Sequence, residues 1–374
     1  MKIFERALRA IRLERRAGMD GDPYWDNFAA LRNGAVTPAT AEGVSAVYGC
    51  VSAISETIGS LPLPLYRRTD AGREKAPDHP LYRALHDTPN ERQTALEFRE
   101  LMTAHMLLRG NAYARIVRGA DGQVRQLVPF HPERVRVLEL ANGRLGYEVT
   151  KGDGQAERLT QDEVFHLRHR SDDGVLGVSP IARAKAVVEL AIAERDHGVE
   201  TFRQGAKLLG VLKTPARLNT DQRNAVKRTW QGFKAGATPV LEDGMDFSTV
   251  SMTLEDAEWI SARQFSTEEV CRLFRVPPTI VGDLRHGNYS NTSELFRQFI
   301  TLSLRRHLLV WEQAIGRQLL TDAGRRIYFA EHSVEGLLRG DSTTRANFYQ
   351  SAIQNGWMST AEVRDLENLP RIGA

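Results

Sequence analysis

The sequence predicts an α+β chain, and three observations carry that reading. Apolar residues recur at helical spacing over several long windows, but between about residues 111 and 168 they alternate with a period of two. The dipeptides Asp121-Gly122 and Asn142-Gly143 punctuate the alternating stretch, as turns do in antiparallel hairpins. Two long helical windows enclose a short strand–helix–strand insertion, which suggests a stalk bearing a small head.

The elements follow in chain order. Residues 18–40, rich in Gly, Asp, Asn and Pro, read as an extended arm. A helix is expected from about Ala41 to Ile58, started by Thr40 or Ser45, with Val44, Val47, Tyr48, Val51 and Ile54 at helical spacing. Pro62 and Pro64 end it and leave Leu63, Leu65 and Tyr66 as an edge-like strand. A loop with a short helix follows. Thr94 with Glu97 then forms a capping box for the next helix, and Gly110 supplies its C-terminal cap. The alternating segment and a strand at QDEVFHLRHR come next.

Ser179 and Pro180 open a helix expected to run to about Gln204, roughly 39 Å at 1.5 Å per residue. Its polar middle, AERDHG, should meet another polypeptide or a neighbouring copy. In the insertion, GVLKT reads as a strand, Asn219 as a helix cap, and TPVLEDGMDFSTVSM as one or two strands around a turn. A second helix, AEWISARQFSTEEVCRLFR, returns from it. Asn291 with Glu294 should cap a helix of nearly 30 residues, whose apolar faces are marked by Leu295, Phe299, Leu302, Leu309 and Trp311. RRIYFAEH is a short strand, and two short helices close the chain, the second with a Ser359–Glu362 capping box.

The bulk numbers narrow the class. With 374 residues, 41% apolar and 26% charged, the chain has an ordinary folded composition and room for two or three domains. A net charge of +3 is only mildly basic, without the dense charge of a dedicated DNA reader. Cys50 and Cys271, both in apolar helix-like settings, are expected as buried free thiols of a reducing compartment. No apolar run approaches the length of a transmembrane helix. The start, MKIFERALRAIRLERR, is basic and amphipathic and lacks the features of a secretory signal. It reads as a surface helix or docking arm, with membrane contact as the alternative.

Catalytic signatures are missing. The sequence holds no H-E-x-x-H, close Cys pair, calcium-loop spacing or G-x-S-x-G elbow. Gly205, Ala206 and Lys207 share part of a phosphate loop, but the earlier glycine and the following Ser or Thr are absent. His166 and His169 sit three apart on a strand end, which does not place them on one face, so they read as structural. Asp172, Asp173, Asp162 and Glu163 read as turn chemistry. No metal site, cofactor or catalytic residue is expected. A soluble hydrolase or nucleic-acid-processing enzyme with a site assembled from distant residues stays as the alternative, and a monomeric adaptor domain as a third reading.

One loop stands out. VPPTIVGDLRHGNYSNTSELFRQF, residues 276–299, places a glycine-rich polar loop between two long helices. It suits a lid, a nucleotide-binding turn or a loop facing a long polymer, and the missing signatures weaken the first two.

Five segments, in order, carry a resemblance. LLRGNAYARI (107–116), LVPFHPERVRV (127–137), EVFHLRHRSDDGVLGVSPI (163–181), FRVPPTIVGDLRHGNYSNTSE (274–294) and the tail DSTTRANFYQSAIQNGWMSTAEVRDLENLP resemble phage portal proteins of the HK97-like type, from a phage, prophage or gene transfer agent. The likeness covers about residues 20–370. It implies a portal-type fold: wing at 20–178, long-helix stem at 179–206, small α/β clip at 207–255, second stem helix at 256–276, tunnel loop at 277–293, a long helix returning to the wing at 294–334, and a short helical crown at 335–374. Residues 1–19 remain a basic arm.

The resemblance also implies a function. Such proteins form a ring, normally of twelve copies, at one capsid vertex of a virion or virus-like particle assembled in the bacterial cytoplasm. DNA enters and leaves through the channel, and the ring itself hydrolyses no ATP. The implied partners are double-stranded DNA without sequence specificity, the major capsid protein or scaffold, the large terminase and a head-tail adaptor, with no membrane. A sliding duplex calls for a few phosphate contacts rather than base readout. Candidates to face the channel are Arg285, His286, Asn288, Tyr289, Asn291 and Thr292. Pro277, Pro278, Gly282, Asn291 and Glu294 set loop and helix geometry. Glu194, Arg195, Asp196, Glu200 and Arg203 are candidates for contacts between stem helices, or they simply face solvent.

Overall fold

The helical and alternating windows fold much as their spacing predicts in the computed structural model of this chain. The structure describes residues 36–70, 72–152, 154–203, 210–215, 217–231, 244–249, 254–285, 292–334 and 342–367. The basic arm expected at 1–19 lies outside the described residues.

Two helices begin the described chain. Helix α1 (Pro38–Glu42) falls within the segment expected to be extended, because Thr37 and Thr40 cap it reciprocally. Helix α2 (Ser45–Ser60) therefore starts later than expected, after Val44, with no side-chain cap. It buries Val47, Cys50, Val51, Ile54 and Ile58 against helix α4 (Ala95–Arg109). The α4 ends are those predicted: Thr94 and Glu97 form the capping box, and Gly110 takes the left-handed cap at φ 79°.

Strand β1 (Leu65–Thr69) corrects the sequence reading. It is the centre of a sheet rather than an edge, paired antiparallel with β2 (Gly72–Lys75) on one side and β11 (Tyr328–Ala330) on the other. The prolines precede the paired residues. They lack N–H donors but keep their carbonyls, which accept from Ser333 at 2.9 Å (Pro62) and Glu331 at 3.4 Å (Pro64). Strand β2 was not expected, and helix α3 (Pro80–His86) is the short helix placed between prolines.

The alternating segment gives six strands in two antiparallel sheets. One has the order β4-β3-β8, from β3 (Asn111–Arg118), β4 (Val124–Phe130) and β8 (Val164–Arg168). The other is β5-β6-β7, from β5 (Val135–Glu139), β6 (Leu145–Thr150) and β7 (Ala156–Thr160). The two predicted hairpin glycines, Gly122 and Gly143, both have φ +75°, where a Cβ would strain the turn.

The segments 107–116 and 163–181 meet at one buried polar junction. Asn111 donates from Nδ2 to the Gly177 carbonyl at 2.8 Å, and its Oδ1 accepts from the Gly177 amide at 2.8 Å. His166 Nε2 lies 2.9 Å from the same Oδ1, and Tyr147 Oη lies 3.1 Å from His166 Nδ1. An Oδ1 that accepts twice requires Nε2 to carry the proton, so Nδ1 accepts from the tyrosine and the neutral ring is satisfied. His166 is thus the structural histidine expected. Ser179 donates to the Leu108 carbonyl at 2.7 Å while capping Ile181.

Gly110 and Gly177 let the two backbones touch. A Cβ on Gly110 would stand 2.4 Å from the Gly177 carbonyl oxygen and 2.7 Å from the Ser179 nitrogen. Gly110→Ala is expected to cost about 2–5 kcal/mol, combining left-handed strain with overpacking against immovable backbone. Urea unfolding checks this, and an unchanged midpoint would show that the junction can open without loss.

Two further helices depart from expectation. The helix begun at Ser179 is broken at Ala184, whose φ −112° and ψ 40° separate α5 (Pro180–Arg183) from α6 (Lys185–Arg203). Nothing in the local sequence marks that break. In the insertion, β9 (Gly210–Lys213) pairs antiparallel with β10 (Asp246–Thr249), and Asn219 caps α7 (Thr220–Gln231), accepting from Gln222 at 2.8 Å. The second strand considered before the EDG turn lies outside the described residues. Helix α8 (Leu254–Phe274) returns and packs against α6 and α2.

The late helix is not one regular rod. A π-helical stretch, Phe299–Leu304, joins α9 (Thr292–Gln298) to α10 (Arg305–Gln318). The buried stripe is Phe299, Ser303, Leu304, His307, Leu308, Trp311 and Ile315. Leu302 and Leu309, expected on apolar faces, are 64% and 43% exposed, because they fall off this stripe. Trp311 is fully buried, donates to Thr103 Oγ1 at 3.1 Å and packs on Phe98 and Phe165. A short helix not foreseen, α11 (Asp322–Ile327), leads into β11. Helices α12 (Ser342–Gln354) and α13 (Thr360–Leu366) are the two expected at the end, and Ser359 and Glu362 cap α13.

Candidate functional site

The loop after α8 is built from a tight turn. Arg275 takes φ 58°, and the Val276 amide bonds back to the Cys271 carbonyl at 2.9 Å, which turns the chain out of the helix. Pro277 and Pro278 cannot continue a helix ladder, and Pro278–Val281 forms a single 3-10 turn. Gly282 closes it at φ 91°, donating to the Thr279 carbonyl at 3.2 Å. Val281 packs over Gly49, where a Cβ would lie 3.3 Å from Val281 Cγ1, so the turn is seated on α2. Pro277, Pro278 and Gly282 all lie in this turn.

Arg285 is the channel candidate whose side chain is described. It folds back rather than standing free. Its Nε donates to Asp283 Oδ1 at 2.8 Å, its Nη2 contacts Asp283 Oδ2, and Glu268 Oε1 lies 3.7 Å away on α8. The Asp283 hydrogen bond, with the Asp283 and Glu268 charges, holds the guanidinium above its ordinary pKa. The Arg285 charge is thus balanced by acids of its own chain.

The other candidates are distributed as follows. His286, Asn288, Tyr289 and Asn291 lie outside the described residues, so the predicted Asn291 cap does as well. Thr292 begins α9, and Glu294 is exposed in its first turn. On α6, Glu194 is buried, and Arg195 pairs with exposed Asp196 at 2.7 Å. Arg195 also crosses to the α1 end, where its Nη1 would stand 2.6 Å from a Cβ placed on Gly43. Both contacts lie within one chain. Glu200 and Arg203 belong to α6, but their side chains are outside the described set.

Three exposed arginines that sequence reading did not single out interact electrostatically. Arg170 follows β8, Arg275 ends α8 and Arg306 lies in the first turn of α10. The charges of Arg275 and Arg170, after desolvation, push the Arg306 guanidinium down. They come from positions 170, 275 and 306, and no local spacing signals their interaction.

The described residues contain no group of three or more His, Cys, Asp or Glu able to hold a metal ion. Among them, no helix is long and apolar enough to cross a membrane. Cys50 and Cys271 are buried free thiols, as expected, with sulfurs 4.0 Å apart across the α2–α8 contact.

Comparison with known proteins extends this picture. The family model described as phage portal protein matches residues 45–368. The portal protein of Enterobacteria phage HK97 is 34% identical over 338 residues, covering 87% of this chain and 79% of that protein. Among solved structures, a chain from the virion of a native gene transfer agent particle superposes with a TM-score of 0.62 at 22% identity, covering 89% of this chain and 92% of that one. A chain from the neck of a native gene transfer agent particle, computed with C12 symmetry, gives a TM-score of 0.58 at 20% identity, covering 96% and 92%.

Proposed function

This chain belongs to the phage portal protein family, and from that premise we propose that copies of it form a ring at one vertex of a phage or gene-transfer-agent capsid, through which double-stranded DNA is packaged and released. The single observation that carries this reading is a family match running from residue 45 to residue 368, across all the main layers of the described fold. The role is structural, that of a conduit, with no chemistry asked of any side chain. Twelve copies per ring is the number favoured by the C12 symmetry of the similar gene-transfer-agent neck.

The family architecture divides the chain in a way that its elements support. The sheets and helices of 20–178, with the helix of 294–334, act as the wing. Helices α6 and α8, packed on each other, act as the stem within 179–206 and 256–276. The β9–α7–β10 unit within 207–255 acts as the clip, residues 277–293 as the tunnel loop, and 335–374 as a small crown. The packaging terminase and later the head-tail adaptor dock on this ring, and the capsid shell or its scaffold surrounds it. The mild +3 charge agrees with a channel that must let DNA slide.

Negative-stain imaging of purified protein, with mass photometry, tests the reading. Rings with a central hole are expected, and eleven- or thirteen-fold rings in vitro would still be rings. Protein that stays monomeric at several salt concentrations, even with its capsid proteins present, would overturn it.

A further inference from the structure

The two cysteines stand 221 positions apart in the chain and meet in the core. Cys50 lies on α2 and Cys271 in the last turn of α8, and both are buried free thiols. Their sulfurs are 4.0 Å apart, a contact and not a bond, since a disulfide needs about 2.05 Å. Helices in contact have axes about 8–10 Å apart and a Cα radius of about 2.3 Å. Residues facing each other across such a contact therefore have Cα separations that overlap the roughly 4.4–6.8 Å spanned by a disulfide. Rotation of the two side chains is the motion that closes the remaining gap of about 2 Å. The pair also stands where the 276–285 turn is anchored. The Cys271 carbonyl accepts from the Val276 amide at 2.9 Å, and Gly49, next to Cys50, is the seat of Val281. A bond between the sulfurs would join these two anchor points to each other.

The two thiols are not equivalent. Cys50 donates to Cys271. That hydrogen bond holds the Cys271 thiol below its ordinary pKa, and together with burial it pushes the Cys50 thiol up. Cys271 is thus the better thiolate, and Cys50 is the thiol in reach of whatever forms on it. We propose that Cys50 and Cys271 are a redox pair that hydrogen peroxide closes to a disulfide, stapling α8 to α2 beneath the 276–285 turn. A small uncharged oxidant of this class suits a buried pair. The Cys271 thiolate attacks one peroxide oxygen, the O–O bond breaks, and the departing hydroxide takes up the proton that the thiol released, leaving a sulfenic acid. The Cys50 sulfur then attacks the Cys271 sulfur, the S–O bond breaks, and hydroxide leaves as water with the Cys50 proton. The two thiols lose two electrons to one peroxide, which becomes two waters.

The pair stands on the packing of a single subunit, so its test is independent of ring assembly. The purified full chain is treated with hydrogen peroxide, quenched in acid, denatured and alkylated with N-ethylmaleimide. Intact mass should show most chains without alkylation, and peptide mapping should join the Cys50 peptide to the Cys271 peptide. Dithiothreitol should restore two alkylatable thiols. The oxidised chain should melt at least about 5 °C higher, because the link joins residues far apart in the chain. Its Val276 and Gly282 amides should exchange with deuterium several-fold more slowly. Cys50→Ala should stop at a Cys271 sulfenic acid, which dimedone traps, and Cys271→Ala should leave Cys50 mostly a thiol. Circular dichroism checks that each variant folds, and the wild-type linkage depends on neither variant. Two alkylatable thiols persisting in the treated wild type, or links formed only between chains, would overturn the pair. A link that changes neither melting nor these exchange rates would overturn the staple. Dimedone labelling of Cys50 in Cys271→Ala as strong as that of Cys271 in Cys50→Ala would overturn the roles of the two thiols.

Discussion

Lowering the pH from 7 to 5 is expected to destabilise the isolated subunit by about 4–8 kcal/mol, a large share of a typical domain's stability. The cause is a set of buried neutral histidines. Burial is the leading cause for each, and it pushes His105 down to about 3, His169 to about 4 and His307 to about 3. His166, enclosed by Asn111 and Tyr147, is lowered well below its ordinary value. These folded-state values lie below the unfolded one, so the unfolded chain takes up protons first. Stability is therefore full above about pH 6.5 and falls as pH drops below it, each histidine contributing up to about 1.4 kcal/mol per pH unit. The depressed carboxylates Glu97 and Glu157 act in a separate window, because their stabilisation is lost only as pH falls below the ordinary carboxylate range. Urea unfolding at pH 7, 6 and 5, below the ring-forming concentration, measures the slope. His105→Gln should reduce it by about one proton's worth. A flat profile across this range would mean that these histidines can be protonated in the folded chain.

The legible parts of the fold are those whose cause is local. Thr94 with Glu97, Gly110, the hairpin glycines and Ser359 with Glu362 each fix backbone geometry within a few residues, and each was readable. The segments that carried the family resemblance have a physical reason to be distinctive. LLRGNAYARI and DGVLGVSPI hold the two glycines and the asparagine of one backbone-to-backbone junction, where a larger residue has no room. The illegible parts depend on distant partners. Strand β1 looks like an edge until β11, far along the chain, pairs with its second side. A period of 3.6 cannot reveal that the late helix widens at Phe299–Leu304, so Leu302 and Leu309 were placed on the wrong face. The approach of the Cys50 and Cys271 sulfurs, and the interaction of Arg170, Arg275 and Arg306, arise only where separate elements pack.

Removing His286 to Ser290 should leave a folded, ring-forming subunit but lower DNA packaging by orders of magnitude. The described turn supports the first half of that expectation. Its ordering contacts are made by residues 276–285: the bond from the Val276 amide to Cys271, the Gly282 closure, the seat of Val281 on Gly49 and the clasp of Arg285 by Asp283. The second half follows from the channel role proposed for 277–293, because the excision removes the polar loop and leaves its framework. Arg285→Ala provides the contrast. Its charge is already held by Asp283 and Glu268, so its loss should change packaging little and leave the salt dependence of DNA binding nearly unaltered. Packaged-DNA yield from particles assembled with each variant distinguishes the outcomes. Normal yield after the excision would remove the loop from the channel. A defect in Arg285→Ala as deep as that of the excision would mean that, in the assembled ring, Arg285 leaves Asp283 for the DNA backbone.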